Sequence, residues 1–578
     1  MPAEARGYPL RHNQAPRQDE KSGSIMIPKE EEIRDLISGR LGVGVLEHKI
    51  PEPRRLYVLV KAGFHRDAIS ILLERFASTT ISTITGIDLG EDIELNYHLW
   101  CGKAEVTVKT RLPKTKPQVE TVTDIMPGAA LYEREVFELL GVRFLGHPDL
   151  RRLLLPDSWP EGQYPLRNDW NPELFNIDSV SVEDLQIDAD GNSTVNVVIG
   201  PQHPALHEPE RFIFKLDGEV VVDVEPRLGY AHRGIEKGAE QLMFFQATHM
   251  IERICGICNV AHATCFCQAV ESIGKIEIPP RAKYLRTIVH ELNRIHSHLL
   301  LLGVAGMEIG FETLFQYLWR DREVVLDLME KMTGNRIMAE YSAIGGVRRD
   351  FDQVLGEEVK KGLAAIKKRI DFYKNLLNND PTFGLRTRGV GVLKAPAALK
   401  LSVVGPVARG SGIKMDVRKH DPYAAYDEIP FEEVAYEEGD SWARFMVRLD
   451  EVAQSVDIIT YAIEKLPSGP YRTRVPRRMP EGESLGRVEA PRGELVHYVK
   501  SNGTAYPQRV KIRSPTLANI ISFREMIRGC YIADIPTVLI SLDPCFSCTD
   551  RMTFVDLNDG RKWFWSMEDI KKRRFEKR

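Results

Sequence analysis

Apolar residues recur at every third or fourth position along two long segments of the chain. Such spacing places them on one face of an α-helix. The apolar positions are Leu285, Ile288, Val289, Leu292, Ile295 and Leu299 in the first segment and Phe445, Leu449, Val452, Val456, Ile459, Ile463 and Leu466 in the second. The pattern predicts two long core helices, and helix signals dominate the chain from about residue 235 onward.

A different pattern covers residues 27–168. Apolar runs typical of strands, RRLYVLVKAG and YHLWCGKAEVTVKTRL, alternate with the amphipathic stretches RDAISILLERFA and AALYEREVFELLGV. This alternation predicts a small α/β domain. Proline, aspartate and asparagine then punctuate the chain, which is typical of an exposed connector, and we place that linker at residues 169–190.

The next unit begins with strand signals. VNVVIG opens it near Thr194, and RFIFKLDGEVVVDVEPRLGY predicts a β-hairpin whose turn is Asp217-Gly218. The fold class that follows is α+β. A small α/β domain at residues 27–168 precedes a mainly α-helical domain at residues 191–551, which starts with a small β-sheet.

Composition and charge argue against several classes of protein. The 578 residues carry a formal net charge of -4, which gives no bias toward nucleic acid. No apolar run reaches the roughly 18 to 20 residues that a membrane helix needs. Residues 1–26 lack the apolar core of a signal peptide and predict a disordered extension, with Met26 as an alternative start. The 8 unevenly spaced cysteines favour thiol or metal chemistry in a reducing cytoplasm over disulfides.

Half of the cysteines form two Cys-x-x-Cys pairs that lie far apart along the chain. The first pair is in ERICGICNVAH, and a helix there places Cys255, Cys258 and His262 on one face. The second pair, Cys545 and Cys548, follows IPTVLISLDP, an apolar run typical of a strand, whose final proline ends regular structure. Together the pairs offer four thiolates to one metal site.

Spacing alone leaves the metal open. Four thiolates are typical of structural zinc, although zinc ribbons usually place Cys-x-x-Cys on tight glycine-bearing turns. Soft thiolates also suit nickel and iron, and two of the four sulfurs can bridge a second metal. The residues are therefore compatible with a zinc-stapled scaffold and with a redox centre.

Several motifs resemble a known family. RICGIC followed by His262, and DPC-x-x-C near the C-terminus, resemble the paired signature of [NiFe] hydrogenase large subunits. GPQHPALHEPERF, LGYAHRGIEK, LNRIHSHLLLLG, GGVRRD and EAPRG resemble the group 4 branch, which is related to respiratory complex I. EREVFELLGVRFLGHPDLRRLLLPDSWPEGQYPLR resembles the complex I 30-kDa subunit. This fusion is similar to formate hydrogenlyase and hydrogenase-4 large subunits, over almost everything after residue 27.

The resemblance implies a bimetallic centre. By position, Cys255 and Cys545 bind nickel terminally, whereas Cys258 and Cys548 bridge nickel and iron. The iron in such a centre carries CO and two cyanides. The implied activity is the reversible conversion of protons and electrons into H2.

The resemblance also implies roles for four polar residues. Arg492, in EAPRG, corresponds to the arginine above the metals, and Asp543 to an aspartate that holds its guanidinium. Glu208, in HEPERF, corresponds to a glutamate that gates protons. His262 is expected to donate a hydrogen bond to a ligating sulfur. Without the motifs, the interpretations are a surface or ion-paired arginine, a turn aspartate and a buried histidine.

The chain departs from the family at two places. Arg551 stands where many hydrogenases carry a histidine that binds an outer magnesium and marks a processing site, which weakens the case for magnesium near Glu236. We expect cleavage after Arg551 and removal of residues 552–578. His203 resembles a quinone-pocket residue of complex I, but Gly256 lies nearest the position of the quinone tyrosine, so quinone reduction is not expected.

Electrons need a carrier outside this chain. The remaining cysteines do not have the spacing of an iron-sulfur motif; they are Cys101, Cys265, Cys267 and Cys530. The implied partners are a complex I 20-kDa-like small subunit with a [4Fe-4S] cluster, ferredoxin-like and integral membrane subunits, and a maturation endopeptidase. The implied location is cytoplasmic, on the inner face of the cell membrane. The rivals are a metal-free complex I-like electron-transfer subunit and the zinc-stapled scaffold.

Overall fold

The computed structural model describes most of the chain. The described residues are 30–155, 159–170, 194–203, 206 and 208–549, without the side chains of residues 548 and 549 but with the backbone of two short paired strands near the C-terminus. The predicted extension 1–26, most of the linker 169–190 and most of the segment 552–578 lie outside the described residues. The domain boundaries remain predictions.

An N-terminal unit is built on a five-stranded sheet of order β1-β2-β5-β4-β3, in which only β2 and β5 pair in parallel. Its elements are α1 (Glu30–Leu41), β1 (Val45–Lys49), β2 (Arg55–Val60), α2 (His65–Arg75), β3 (Thr80–Asp88), β4 (Asp92–Cys101), β5 (Ala104–Pro113), β6 (Gln118–Glu120), α3 (Ala130–Leu140) and β7 (Arg143–Leu145). Almost every residue of β3 and β4 is buried, because helices and later strands both pack against them. The predicted alternation of strands and helices is confirmed.

The second unit opens with a three-stranded antiparallel sheet. Its strands are β8 (Thr194–Ile199), β9 (Arg211–Asp217) and β10 (Val220–Arg227), in the order β10-β9-β8. Asp217 pairs with Val220 across a turn in which Gly218 has a φ of 59°. Glycine adopts this left-handed conformation without steric cost, so the predicted hairpin forms as expected.

Helices make up most of the remainder. They are α4 (Ile235–Glu240), α5 (Phe244–Glu252), α6 (Asn259–Gly274), α7 (Pro280–Ile309), α8 (Glu312–Thr333), α9 (Gln353–Asn379), α10 (Pro381–Thr387), α11 (Ala395–Lys400), α12 (Gly405–Arg409), α13 (Val417–His420), α14 (Ser441–Glu464), α15 (Pro515–Asn519), α16 (Phe523–Ile527) and α17 (Ile535–Ser541). The two predicted core helices are α7 and α14, which pack together. Leu466 lies beyond the end of α14. Among the described helices, none is both long enough and apolar enough to span a membrane.

A second three-stranded sheet joins the two units. The remaining strands are β11 (Ser342–Ala343), β12 (Gly346–Val347), β13 (Glu481–Ala490), β14 (Gly493–Asn502), β15 (Pro507–Arg513), β16 (Phe554–Val555) and β17 (Lys562–Trp563). Strands β13, β14 and β15 form this sheet, and its Leu485, Val496 and Tyr498 pack against Ile87 of β3. Arg513 Nε also donates to the Ser82 carbonyl at 2.6 Å. The units therefore share a buried interface.

The first cysteine pair does not lie in a helix. Cys255 and Cys258 occupy the turn between α5 and α6, and Cys258 is the residue that precedes the first turn of α6. The prediction of one continuous helix was wrong. Gly256 lies in this turn, and the N–H groups of Ile257 and Cys258 point to the sulfur of Cys255 instead of continuing α5.

The apolar run before the second pair is a helix, α17, so the prediction of a strand was also wrong. Pro536 falls in the first turn, where proline is compatible with a helix because the first N–H groups need no intrahelical partner. Burial of a short apolar run cannot distinguish strand from helix. After α17, Asp543 adopts a φ of 57°, and the chain turns to present Cys545.

Candidate metal centre

Two of the predicted cysteine ligands meet in the core. The sulfur atoms of Cys255 and Cys545 lie 3.2 Å apart, although 290 residues separate them along the chain. Both side chains are 2% exposed, and that of Cys258, next to them, is 1% exposed. A dry site of this kind strengthens every charge interaction within it.

Backbone donors surround the first of these sulfurs. The N–H groups of Ile257 and Cys258 lie 3.3 and 3.4 Å from Cys255 Sγ. The Cys545 N–H donates to Thr516 Oγ1 at 3.0 Å, which fixes the second segment. These contacts fix the position of both sulfurs, and cysteine binds metals as the thiolate.

Cys548 completes the predicted ligand set, but its side chain lies outside the described residues. Among the residues that the structure describes, no group of three or more His, Cys, Asp or Glu is placed to hold one ion. The donor set nevertheless fits a thiolate-bound metal, because two sulfurs already share one point and a third lies in the same turn.

Arg492 and Asp543 form a buried pair beside the thiols. Arg492 lies in the tight turn between β13 and β14; its Nη2 is 2.7 Å from Asp543 Oδ1, and its Nε donates to the Asp543 carbonyl at 2.9 Å. Burial alone lowers the pKa of Arg492, but Asp543 and the thiols of Cys545, Cys255 and Cys258 raise it well above its ordinary value. The guanidinium is therefore a fixed positive charge beside Cys255, Cys258 and Cys545, which together form the thiol cluster.

His262 contacts a residue that the motifs do not include. Its Nδ1 lies 3.1 Å from Nε2 of His497 on β14. Burial, followed by the proximity of His262, holds the pKa of His497 well below its usual range, so this imidazole is neutral. The predicted hydrogen bond from His262 to a ligating sulfur remains a prediction.

Glu208 reaches the second cysteine pair from the N-terminal side of β9. Its Oε2 accepts the N–H of Ser547 at 2.8 Å, and its Oε1 accepts the Ser547 hydroxyl. Ser547 is the second of the two residues between Cys545 and Cys548. A carboxylate thus lies directly against the loop that carries two predicted ligands.

Glu236 is already held by side-chain cations. Its Oε1 lies 3.3 Å from Lys511 Nζ and accepts the Ile512 N–H at 2.9 Å, while its Oε2 lies 2.9 Å from Arg509 Nη2. Burial raises the pKa of this carboxyl, but Lys511 and Arg509 outweigh burial and lower it. Sequence reasoning missed both cations, because the alternation in β15 is an ordinary strand pattern.

The remaining predicted positions are exposed, are packed in the core or lie outside the described residues. His203 is exposed. Burial raises the pKa of the thiols of Cys101 and Cys267 to about 12, so both are protonated packing residues. Cys265 Sγ donates to the Gly486 carbonyl at 3.3 Å. Arg551 lies outside the described residues.

Comparison with known families gives three matches along the chain. Residues 58–175 match the respiratory-chain NADH dehydrogenase 30-kDa subunit. Residues 308–479 and 473–551 match the 49-kDa subunit of the same enzyme. Residues 233–302, which include the first cysteine pair, match the nickel-dependent hydrogenases.

Known proteins resemble the chain over most of its length. The fused C/D polypeptide of the NADH-quinone oxidoreductase of Phocaeicola vulgatus is 36% identical over 82% of this chain and 95% of its own. Formate hydrogenlyase subunit 5 of Escherichia coli K12 is 35% identical over 89% of this chain and 92% of its own. A chain from the structure of the membrane-bound sulfane sulfur reductase, an archaeal respiratory membrane complex, aligns with a TM-score of 0.60 and 34% identity, covering 63% of this chain and all of that one.

The fold and the buried thiols define a member of the oxidoreductase class. The chain belongs to the family in which a complex I 30-kDa-type domain is fused to a 49-kDa-type domain and which includes [NiFe] hydrogenase large subunits. Its identities to the quinone-linked and hydrogenase relatives are nearly equal, so similarity alone does not choose between their activities.

Proposed function

We propose that this chain is the catalytic large subunit of a membrane-associated [NiFe] hydrogenase of the formate hydrogenlyase type, which interconverts H2 with two protons and two electrons. The observation that carries the proposal is the meeting of Cys255 and Cys545, with sulfurs 3.2 Å apart beside a buried arginine. A quinone-linked electron-transfer subunit has no need for such a pair of buried thiols.

Four cysteines would hold the metals. Cys255 and Cys545 would bind nickel, while Cys258 and Cys548 would bridge nickel and an iron that carries CO and two cyanides. When bound, this centre supplies heterolytic cleavage and formation of H2. The surrounding chain supplies thiolates, a dry environment and groups that position charge and move protons.

Arg492 is the positioning residue of the centre. A guanidinium does not lose its proton at any ordinary pH, so Arg492 balances the negative charge of the thiolates instead of acting as a base. Asp543 holds it through one carboxylate contact at 2.7 Å and one carbonyl contact at 2.9 Å. Two contacts on one side of the fork fix its orientation.

Glu208 carries the proton away from the thiol cluster. A carboxylate can take up and release a proton, and its two hydrogen bonds to Ser547 tie it to the loop that bears Cys545 and Cys548. Electrons leave by a separate route, because the other cysteines provide no iron-sulfur motif.

The proposal extends to the assembly around the chain. An iron-sulfur small subunit with a [4Fe-4S] cluster would accept the electrons, and ferredoxin-like and integral membrane subunits would place the chain on the inner face of the membrane. A maturation endopeptidase would cut after Arg551. Mass spectrometry of the nickel-loaded enzyme that finds residues 552–578 still attached would contradict the cleavage.

A quinone-linked electron-transfer subunit is the second candidate, because the NADH-quinone oxidoreductase relative aligns over 95% of its length. Metal analysis of the purified complex separates the candidates. We expect nickel and iron in equal amounts, with infrared bands from CO and cyanide. Absence of nickel would favour the second candidate, and zinc as the only bound metal would favour a structural scaffold.

A further inference from the structure

A cavity lies beside the thiol cluster and is closed in part by the N-terminal unit. Its volume open to the centre of a water-sized sphere is about 60 Å³. A cavity needs roughly 10 to 15 Å³ on this measure to hold one water, so several waters fit. Its polar lining consists of Glu135, His232, Glu236, Ser514 and Ser547.

Two buried polar atoms of this lining have no partner. Among the described residues, neither Glu135 Oε2 nor Ser514 Oγ makes a hydrogen bond. Glu135 is 6% exposed and Ser514 is 2% exposed. Half of the residues that line the cavity are apolar, and the unpartnered atoms belong to its polar half. A buried carboxylate oxygen without a partner is costly, and water in an adjoining cavity is the ordinary way in which such atoms are satisfied.

The cavity connects two sets of charged residues. At one wall is Ser547, which donates two hydrogen bonds to Glu208. At another wall the Lys511 ammonium contacts Glu135 Oε1 and lies 3.3 Å from Glu236 Oε1. Glu135 belongs to α3 of the N-terminal unit, so this domain contributes a carboxylate to the surroundings of the metal centre.

The cavity is not a second cation site. Glu236 already has Lys511 and Arg509 within 3.3 Å, and Glu135 shares the same Lys511. Arg509 also lies 3.3 Å from Glu240, which has Lys237 at 3.5 Å. Three side-chain cations therefore balance three carboxylates, which leaves no negative charge for an outer divalent ion to neutralise. The carboxylates and side-chain cations around the cavity instead suit proton transfer.

We infer that Glu135 is the acceptor at the far end of a water-filled proton route that starts at Glu208 and crosses this cavity. The inference rests on the proposed hydrogenase function. A proton bound to Glu208 passes to the hydroxyl oxygen of Ser547, whose own hydroxyl proton passes to a cavity water. That water releases another proton to Glu135; Glu135 then gives this proton to bulk solvent and becomes a carboxylate again. No electron moves along this route.

The charges around Glu135 agree with this role. Burial raises the pKa of Glu135 even though Lys511 and Arg509 oppose it and Glu236 adds to it. The neighbouring Glu236 shifts in the other direction. A proton entering the cavity therefore resides on Glu135 and not on Glu236.

The test uses the assembled complex and the variants Glu135→Gln and Glu133→Gln. Glu133 is a buried glutamate of the same helix that bonds to Val122 N and Thr121 Oγ1 inside the N-terminal unit, so it controls for loss of a buried carboxyl. We expect E135Q to lower H2 production with an artificial electron donor by about tenfold and to increase the solvent isotope effect, because a proton carrier is lost. E133Q should leave both at the wild-type level, and Glu135→Asp should restore most of the rate.

Two readouts do not depend on turnover. Infrared difference spectra between acidic and alkaline complex, with and without metals, should show a protonated-carboxyl band that disappears in E135Q. Burial raises the pKa of Glu133 to about 7, so a separate band should disappear in E133Q while the band of Glu135 remains. A high-resolution density map should show water between Glu135, Ser514 and Ser547. If E135Q fails to fold, Ser514→Ala, which removes one of the unpartnered atoms, is expected to raise the solvent isotope effect.

Some results would overturn the inference. They are a density map without water in the cavity, an E135Q spectrum that loses no protonated-carboxyl band relative to wild type, or wild-type rates and isotope effects in both E135Q and S514A. Failure of the proposed function looks different, because the wild-type complex itself would then contain no nickel and would not produce H2.

Discussion

The two sides of the thiol cluster differ in the kind of charge they present. On the arginine side, Arg492 and Asp543 form a buried ion pair. The Nε of Arg448, which is also buried, lies 3.9 Å from Asp543 Oδ2. On the carboxylate side, Glu208 accepts hydrogen bonds from Ser547, and Ser547 lines a cavity that has room for water. The first side holds charges in place, whereas the second can exchange protons.

This difference assigns separate tasks to the two sides. Permanent cations set the electrostatic potential at the thiolates and cannot relay protons. Carboxylates beside water can relay protons but contribute a negative charge that the site must balance. Variants on the arginine side should therefore change the rate without changing its isotope effect, whereas variants on the carboxylate side should change both.

Removal of one of the clustered thiols should have the largest effect on nickel binding and H2 production. We expect Cys255→Ser and Cys545→Ser to abolish nickel binding and H2 production, because these sulfurs share one point at 3.2 Å. Nickel content and CO and cyanide infrared bands measure the effect. Cys530→Ser, at a half-buried thiol outside the cluster, is the control and should retain nickel. Full metal content in C255S and C545S would rule out the centre.

The arginine side is tested by Arg492→Lys, which keeps the charge but loses the fork that Asp543 holds. We expect H2 production to fall by about 100-fold at unchanged metal content, comparable to the loss of one preorganised donor in other active sites. The solvent isotope effect should not change. Arg286→Lys removes a buried fork of the same kind, bound to Glu271 at 2.9 and 2.5 Å, and should affect stability but not the rate per bound nickel.

The carboxylate side is tested by Glu208→Gln. We expect a decrease of about 10-fold to 100-fold in H2 production with an increased solvent isotope effect, because an amide cannot relay a proton. Glu210→Gln, two residues along the chain at a fully buried position, is the control for a lost carboxyl. An E208Q enzyme with a normal isotope effect would remove the distinction between the two sides.

The last prediction concerns stability, and its expected effect on turnover is the smallest. Glu494 of β14, two residues after Arg492, contacts Arg487 at 3.0 Å and Arg513 at 3.2 Å and accepts a hydrogen bond from Ser82. Burial raises its pKa, but Arg487 and Arg513 outweigh burial and lower the pKa from 4.5 to about 2. This carboxylate therefore stabilises the fold by about 3 kcal/mol above pH 4.5, and the contribution disappears as the pH falls toward about 2.

Chemical denaturation of wild type and Glu494→Gln across this pH range measures that contribution. The difference in the free energy of unfolding should be greatest near neutral pH and should decrease as the solution is acidified. A difference that does not depend on pH would show that Glu494 acts through packing and not through its charge.

Regular elements could be predicted from the sequence because their patterns are local. The α7 positions Leu285, Ile288 and Leu292 repeat with the helical period, and all three are fully buried. The Asp217-Gly218 pair predicts a hairpin from equally local information, since glycine tolerates the backbone angle that the turn needs. Such signals depend on neighbours within a few residues.

The local structure around the cysteines could not be predicted in this way. Cys255 and Cys258 lie in a turn because hydrogen bonds to a sulfur replace those of a helix, which the helical spacing of the cysteines conceals. The short run before Cys545 has no period that separates strand from helix. The motifs drew attention to the thiols, but they did not show which secondary structure would carry them.

The contact partners of the site residues could not be predicted from the sequence for another reason. Lys511 and Glu135 meet across the interface of the two units, 376 residues apart, and His497 meets His262 across 235 residues. Nothing in their own segments distinguishes them from ordinary strand or helix residues. Only the packing of β14 and β15 against the N-terminal unit and α6 brings them to the site.

The most direct test of the central claim is X-ray absorption at the nickel edge of the purified, matured complex. The account predicts nickel bound by four sulfur atoms, with iron as a near neighbour, and loss of sulfur scattering in Cys545→Ser. Nickel with only nitrogen and oxygen ligands, or a sample in which zinc alone is bound by these cysteines, would contradict it.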